Sequence, residues 1–549
     1  MTHDTYESAW RRLAERAERA GALDARELIG RDAARDAALV LDCGPLRIDC
    51  TKQSIDAAAL GALGALARAA GLESRRDALL GGEPVNATER RAALHVALRA
   101  VCAGAPAEAL AHVPEAFARE SAATFERMRA IAEAVRAGRR RGATGRPITD
   151  VVHVGIGGSG LGPELLAGAL AGFAHPRLRA HFVANVDPRA SADALAGLDA
   201  ETTLVVVASK SWTTQETARN AAAVRAWLAA SGISGERLAA HWIAVTARAD
   251  LARADGLSDE AILPFSEAIG GRYSVWSAVG LTVAILVGFE RFAELVAGAH
   301  AMDAHFAHAP WGRNAPMLLG AVDAWNRLRG ASTLAVVPYA ARLARLPAYL
   351  QQLMMESNGK RVDIDGAALS IQTAPVVWGE PGTDAQHSFF QLLHQGTSVH
   401  PVELVAVLPD ADRDAQGRDA LLLAHCIAQS EALLRGRTLE QVLADLPGLT
   451  EHEAAHRVHP GGRPHSIVAL DALSPAALGA LLALYEHRTF VQAALWRINP
   501  FDQFGVELGK RIAAGVERAL AGDAAALARL DPANRELARM AGARLAPPP

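Results

Sequence analysis

The sequence has only four cysteines in 549 residues, Cys43, Cys50, Cys102 and Cys426, and no C-x-x-C pair. Neither a zinc knuckle nor a redox dithiol is signalled. Such sparse thiols predict isolated cysteines in a reducing compartment, with a Cys43–Cys50 disulfide as the alternative. Neither sign of charge is in excess: 56 Lys and Arg face 60 Asp and Glu, a net charge of −4. No general attraction to nucleic acid or to an anionic membrane is expected. Long apolar runs are missing as well. The longest, residues 275–289 (VWSAVGLTVAILVGF), contains Ser277 and Thr282 and falls short of the ~20 residues of a spanning helix. It reads as a buried core helix. The opening stretch, MTHDTYESAWRRLAERAERA, has no apolar leader core. These absences predict a cytoplasmic protein with no membrane or nucleic-acid partner.

What is present is ordinary globular composition, 50% hydrophobic and 21% charged. That excludes disorder over most of the chain, and the length suggests two to four domains. Residues 1 to about 45 and 54–70 are rich in Ala, Arg and Glu at helical spacing. Thr88, followed by Glu89, reads as the N-cap of a further helix. Helical pattern runs on to 141, where Arg139, Arg140, Arg141 and Gly142 mark an end. From Thr149 the period changes. Residues 150–158, 179–187, 202–210 and 241–248 read as buried strands, separated by helical stretches such as 162–173 and 214–230. This βαβα order predicts a parallel, doubly wound sheet. Strands at 333–340 and 403–409 predict a second α/β layer whose strand order is not readable. From Ser474, an N-cap followed by Pro475, the pattern is largely helical. The final APPP has the composition of a disordered tail.

Two segments suggest anion binding. GIGGSG, residues 155–160, follows a strand and opens a helix. Small residues let the backbone approach an anion, and a helix N-terminus supplies free N–H groups. The string also fits G-x-G-x-x-G, with Asp187 ending the next strand as a ribose-binding acid would. A dinucleotide, another phosphate ligand and a tight structural turn all remain open on this segment alone. The second segment, SKSWTTQET at 209–217, carries Ser209, Ser211, Thr213, Thr214, Thr217 and Lys210. That is more hydroxyl than helix capping requires. Two anion loops on the carboxyl edge of one sheet favour a sugar phosphate over a dinucleotide.

Longer motifs carry a resemblance. EAIGGRYSVWSAVG (267–280) and ALWRINPFDQFGVELGK (494–510) closely resemble the two signature segments of the glucose-6-phosphate isomerase (phosphoglucose isomerase) family. QQLMMESNGKRVD (351–363), VVWGEPGTDAQHSFFQLLHQGT (376–397), NATERRAALHVALR (86–99) and both anion loops are similar to the same family. The resemblance covers about residues 45 to 515. It implies an α/β protein with two SIS-type, doubly wound parallel-sheet domains and helical ends. The implied division is a helical N-terminal portion at 1–120, a first domain at 121–290, a larger one at 291–515, and a C-terminal arm at 516–549. It also implies a homodimer acting on a sugar phosphate without metal or organic cofactor.

Aldose–ketose isomerisation moves a proton between C2 and C1 through an enediol, so it needs one base that keeps the proton close. A carboxylate tuned by its surroundings can serve. The resemblance assigns that role to Glu356. It places Arg272 beside the enediolate, where a fixed cation stabilises developing charge. It makes His387 and Lys510 the ring-opening pair, His387 reaching the site from the neighbouring subunit. Gln352 and Gln503 match substrate-contacting amides; Gly158, Ser159, Ser209, Lys210, Ser211 and Thr214 match phosphate and sugar contacts. Read alone, Glu356 could be a surface acid, Arg272 a salt-bridged core-edge residue, His387 structural and Lys510 a solvated helix end. The sequence departs from the family pattern at Ser211, Trp212 and Phe504, and at Asp384-Ala385, just before His387. A non-catalytic sugar-phosphate sensor and an NAD-dependent oxidoreductase are the competing functions. HEAAH, residues 452–456, matches a zinc-protease string, but Pro460, Gly461 and Gly462 stop its helix and no third His follows at metzincin spacing. No metal site is expected there.

Overall fold

Alternating buried strands and helices put the chain in the α/β class, with two parallel-rich sheets. The computed structural model describes residues 5–19, 23–409 and 414–545. The tail residues 546–549 lie outside them. Its strands are β1 (Val40–Cys43), β2 (Leu46–Asp49), β3 (Asp150–Val154), β4 (Arg179–Val183), β5 (Thr203–Ala208), β6 (Trp242–Thr246), β7 (Ile262–Pro264), β8 (Thr333–Tyr339), β9 (Val376–Trp378), β10 (Val402–Val407) and β11 (His465–Leu470). The chain forms two compact units, Met1–Pro500 and Phe501–Pro549. Both sheets belong to the first.

The five-stranded sheet has the order β4-β3-β5-β6-β7 and is parallel throughout. β3, β5 and β6 are buried along their whole length. Near-continuous Val and Ile runs are what a sheet covered on both faces requires. Chain order reverses between β3 and β5, the topological switch point where such sheets bind ligands. The helices Leu161–Ala169 and Gln215–Ala230 follow these two strands.

The six-stranded sheet has the order β1-β2-β11-β10-β8-β9. β8 to β11 are parallel, but β1 and β2 form an antiparallel hairpin that joins β11 antiparallel. The sheet is therefore mixed rather than wholly parallel, and the N-terminal stretch read as helical to about 45 ends in a strand. VLDC and LRID alternate in burial around a turn at Gly44, whose φ is +61°. Four-residue alternation inside an Ala-rich region is too short to register as a period.

Two further expectations shift. Thr88 caps no helix: the next one is His95–Cys102. Asn86 and Arg91 pair across a turn instead, and the Thr88 hydroxyl accepts from Asn499 at 2.8 Å. The following long helix is Glu115–Arg136, which stops before the three arginines. Within residues 275–289 a short, fully buried helix forms at Leu281–Val287. Ser474 does cap the helix Pro475–Leu495, its Oγ accepting from Ala477 N at 3.1 Å. That helix is buried on every side, as a helix in the middle of a large domain must be. Cys43, Cys50, Cys102 and Cys426 are all free, which removes the Cys43–Cys50 disulfide. Among the described residues no helix is long and apolar enough to cross a membrane.

Candidate active site

The first anion loop is built by glycine. Residue 155 leaves β3, a tight turn covers Gly157–Ser159, and the helix starts at Leu161. A Cβ on Gly155 would stand 2.6 Å from the Ser159 carbonyl oxygen, and one on Gly158 only 2.1 Å from the Gly271 carbonyl carbon. No side chain fits either position. Gly158 thereby brings the loop against the turn that carries Arg272, and Gly157 lies against the Gln352 amide. Ser159 is half-buried on this loop.

The second loop leaves β5 beside it. Val154 pairs with Val207 in register, so neighbouring strands deliver the two loops side by side. The buried Ser209 Oγ has no hydrogen-bond partner among the described residues. Thr214 occupies the N-cap position of its helix, yet its side chain makes no capping bond. Ser211 Oγ accepts from the Thr213 hydroxyl at 2.9 Å. Trp212, at φ +54°, donates its indole N–H to Asp255 at 2.6 Å. A cavity of 230 Å³ opens here, lined by Ser209, Trp212, Thr214, Arg225 and Trp242 among others. The Lys210 ammonium donates to the carbonyls of Glu267 and Ile269 at 2.7 and 2.9 Å. Burial pushes its pKa down to about 8. Its side chain thus ties this loop to the turn before Arg272.

Opposite stands the segment after β8. Helix Leu346–Leu350 widens into a π-type turn at Gln351–Glu356; such turns are frequent at functional sites. Arg272, almost wholly buried, donates to Glu356 Oε1 at 2.7 Å. The other oxygen, Oε2, accepts from the Gln352 amide at 3.3 Å. The Glu356 side chain keeps 26% exposure against 1% for Arg272, so the carboxylate can meet a ligand while the cation is fixed behind it. Arg272 also donates from Nε to Ser357 Oγ at 2.7 Å and from Nη2 to the Pro500 carbonyl. Ser357 and Tyr273 were not singled out by sequence, although each adjoins a residue that was.

The remaining expected residues stand on other elements. His387 is exposed at the end of helix Gly382–Gln386, which follows β9. The substituted Ala385 is fully buried and Asp384 accepts from the His387 backbone N–H at 3.0 Å, so the local turn is intact. Gln503 and Lys510 belong to the second unit; both are exposed, Lys510 on helix Glu507–Leu520. Asp187 is no ribose ligand in waiting: it caps helix Pro188–Leu195, accepting from Arg189 N at 2.9 Å. In HEAAH, Glu453 closes a capping box with Thr450 on the five-residue helix Glu451–Ala455. Among the described residues no group of three or more His, Cys, Asp or Glu is arranged to hold a metal ion.

Known proteins share this architecture along its length. A glucose-6-phosphate isomerase from Methylocella silvestris is 45% identical, covering all of both chains. Glucose-6-phosphate isomerase 2 of Cupriavidus pinatubonensis is 47% identical over 94% of each. The crystal structure of a glucose-6-phosphate isomerase from Chlamydia trachomatis superposes with a TM-score of 0.82 at 32% identity, covering 97% of this chain and 98% of that one. The sequence model of the family described as phosphoglucose isomerase matches residues 49–537. With that span and these full-length relatives, the chain belongs to the phosphoglucose isomerase family.

Proposed function

We infer that the protein is an aldose–ketose isomerase that reversibly interconverts D-glucose 6-phosphate and D-fructose 6-phosphate, a step of glycolysis and gluconeogenesis. Relatives 45–47% identical along the chain carry that activity in their names. The observation that carries the reading is the Arg272–Glu356 pair set against the glycine loop and Gln352. The sugar phosphate enters with its phosphate toward Ser159, Ser209, Ser211 and Thr214, whose hydroxyls and backbone N–H groups suit a compact dianion. His387 and Lys510 open the ring, one giving a proton to the ring oxygen and the other taking one from the C1 hydroxyl. Glu356 takes the C2 proton of the open aldose and returns it to C1. Arg272 lies where negative charge develops on the enediolate and favours the transition state over the ground state. Gln352 and Gln503 orient the sugar hydroxyls.

His387 is exposed on this chain. It serves the site of a partner subunit, which makes the enzyme an obligate homodimer with lobes at 121–290 and 291–515. It acts in the cytoplasm, with neither metal nor organic cofactor. A coupled assay of fructose 6-phosphate conversion, run with a chelator present, tests this directly. Turnover at undiminished rate is expected. No turnover, or saturable NAD binding, would overturn it in favour of a sensor or an oxidoreductase.

A further inference from the structure

The residue after the base is fully buried and polar. Ser357 has no exposed surface, and its Oγ lies 2.7 Å from Arg272 Nε and 3.1 Å from the Tyr273 hydroxyl. A guanidinium has donors only, so the serine oxygen accepts from Arg272. Tyr273 is itself immobilised, stacked on His95 with ring centroids 4.5 Å apart. Burial raises its pKa, which keeps the hydroxyl protonated as a hydrogen-bonding partner. The next residue is pinned too: Asn358 Nδ2 donates to the Thr489 carbonyl at 2.9 Å and to Gln492 Oε1 at 2.8 Å.

These contacts have a geometric consequence. The bonds from Nη1 to Glu356 and from Nη2 to the Pro500 carbonyl anchor the outer end of the fork but leave its plane free to tilt about the line joining them. A further bond from Nε, on the inner edge of the same rigid fork, fixes the plane. The acceptor of that bond is the immediate chain neighbour of the carboxylate. Base and cation are therefore locked to one short stretch of backbone.

We propose that Ser357 is a positioning residue for the isomerisation, its hydroxyl setting the plane of the Arg272 guanidinium against the Glu356 carboxylate, with Tyr273 supporting it. The proposal rests on the roles given above to Arg272 and Glu356. Ser357→Ala removes that acceptor from Arg272 Nε and lets the guanidinium plane tilt out of line with the enediolate. The enediolate then collapses more slowly, and the proton held on Glu356 has longer to exchange with solvent before it is returned to carbon.

The test compares the parent enzyme, Ser357→Ala, Ser357→Cys and Glu356→Gln in ordinary and heavy water. Ser357→Ala should lose about 10- to 100-fold in kcat, with KM held within about threefold. The fraction of turnovers that leave solvent deuterium on product carbon should at least roughly double. That fraction does not depend on how much of the enzyme is folded, so a purely structural role would not move it. If the alanine variant does not fold, Ser357→Cys, near in size but a weaker acceptor, decides: a smaller kcat loss with a smaller rise in the deuterium fraction is expected. A folded variant with parental kcat, or with reduced kcat and an unchanged deuterium fraction, overturns the proposal. An active Glu356→Gln would instead remove the base assignment, whatever Ser357 does.

Discussion

Two groups of buried arginines, each bonded to carboxylates, differ in what surrounds them. Arg99, on the helix His95–Cys102, joins the helices Phe289–His308 and Pro475–Leu495: it binds Asp303 through two nitrogens at 2.6 and 2.9 Å and also binds Glu486. The Trp276 indole donates to Glu486 at 2.8 Å and the His487 ring meets Asp303 at 2.7 Å. A few residues on, Arg488 clamps Asp323 and Glu403, and Tyr485 donates to Glu403. Every member is buried, and each carboxylate is bound by more than one donor. Such groups hold helices and strands in register. The Arg272–Glu356 pair has the same chemistry but an open side. Its cation is fully enclosed, while a quarter of the carboxylate side chain meets solvent. Enclosure on all sides makes a strut, whereas one open face on a fixed pair makes a reactive group.

Breaking each pair should therefore give different results. Arg272→Ala should lower kcat per folded molecule by about 10³-fold, the scale of a lost electrostatic stabiliser, with a fall in thermal midpoint smaller than that of Glu403→Ala. Activity and calorimetry on one preparation check both halves. Glu403→Ala should do the reverse. It leaves Arg488 with one of its two buried carboxylate partners and should cost about 3–5 kcal/mol in urea unfolding, with kcat per folded molecule unchanged. The comparison sharpens further under acid. His153 in β3 and His465 in β11 are buried neutral, and burial pushes both down to about 4. An unfolded histidine titrates near 6.5. Between those values the unfolded state binds more protons, so stability is full above pH 6.5 and falls as the pH drops toward 4. Each histidine should contribute on the order of 2–3 kcal/mol to that fall. His153→Gln should flatten the slope of urea midpoint against pH.

Legibility followed burial and sequence separation. β3, β5, β6, β8 and β10 were readable within a few residues because each is a largely apolar run, buried along most of its length, with His153 and Glu403 as polar exceptions in β3 and β10. β7 and β9 are three residues each, too short to show a period. β2 finds its partner β11 at the far end of the chain, Asp49 opposite Ile467, which no local pattern can announce. Thr88 has the chemistry of a cap, but tertiary contacts to Asn499 claim it. Within the site, the glycine loop and the hydroxyl loop were visible from residue type and position. Arg272 and Glu356 were not: they stand 84 residues apart and came from the family resemblance, not from spacing. Nor does anything local mark Glu486, His487 and Arg488 as interior, since a polar trio on a helix ordinarily faces water. HEAAH errs the other way, because a capping box supplies the same letters without the chemistry.

The central claim is that Glu356 is the proton carrier, held by Arg272 and Gln352 with one side open to a ligand. Glu356→Gln keeps the shape and the amide partner while removing the carboxylate. Turnover of fructose 6-phosphate by this variant should fall by at least about 10³-fold, while its affinity for the sugar phosphate, measured by calorimetry, stays within about threefold of the parent. Activity near the parental level in a correctly folded Glu356→Gln enzyme would contradict the account.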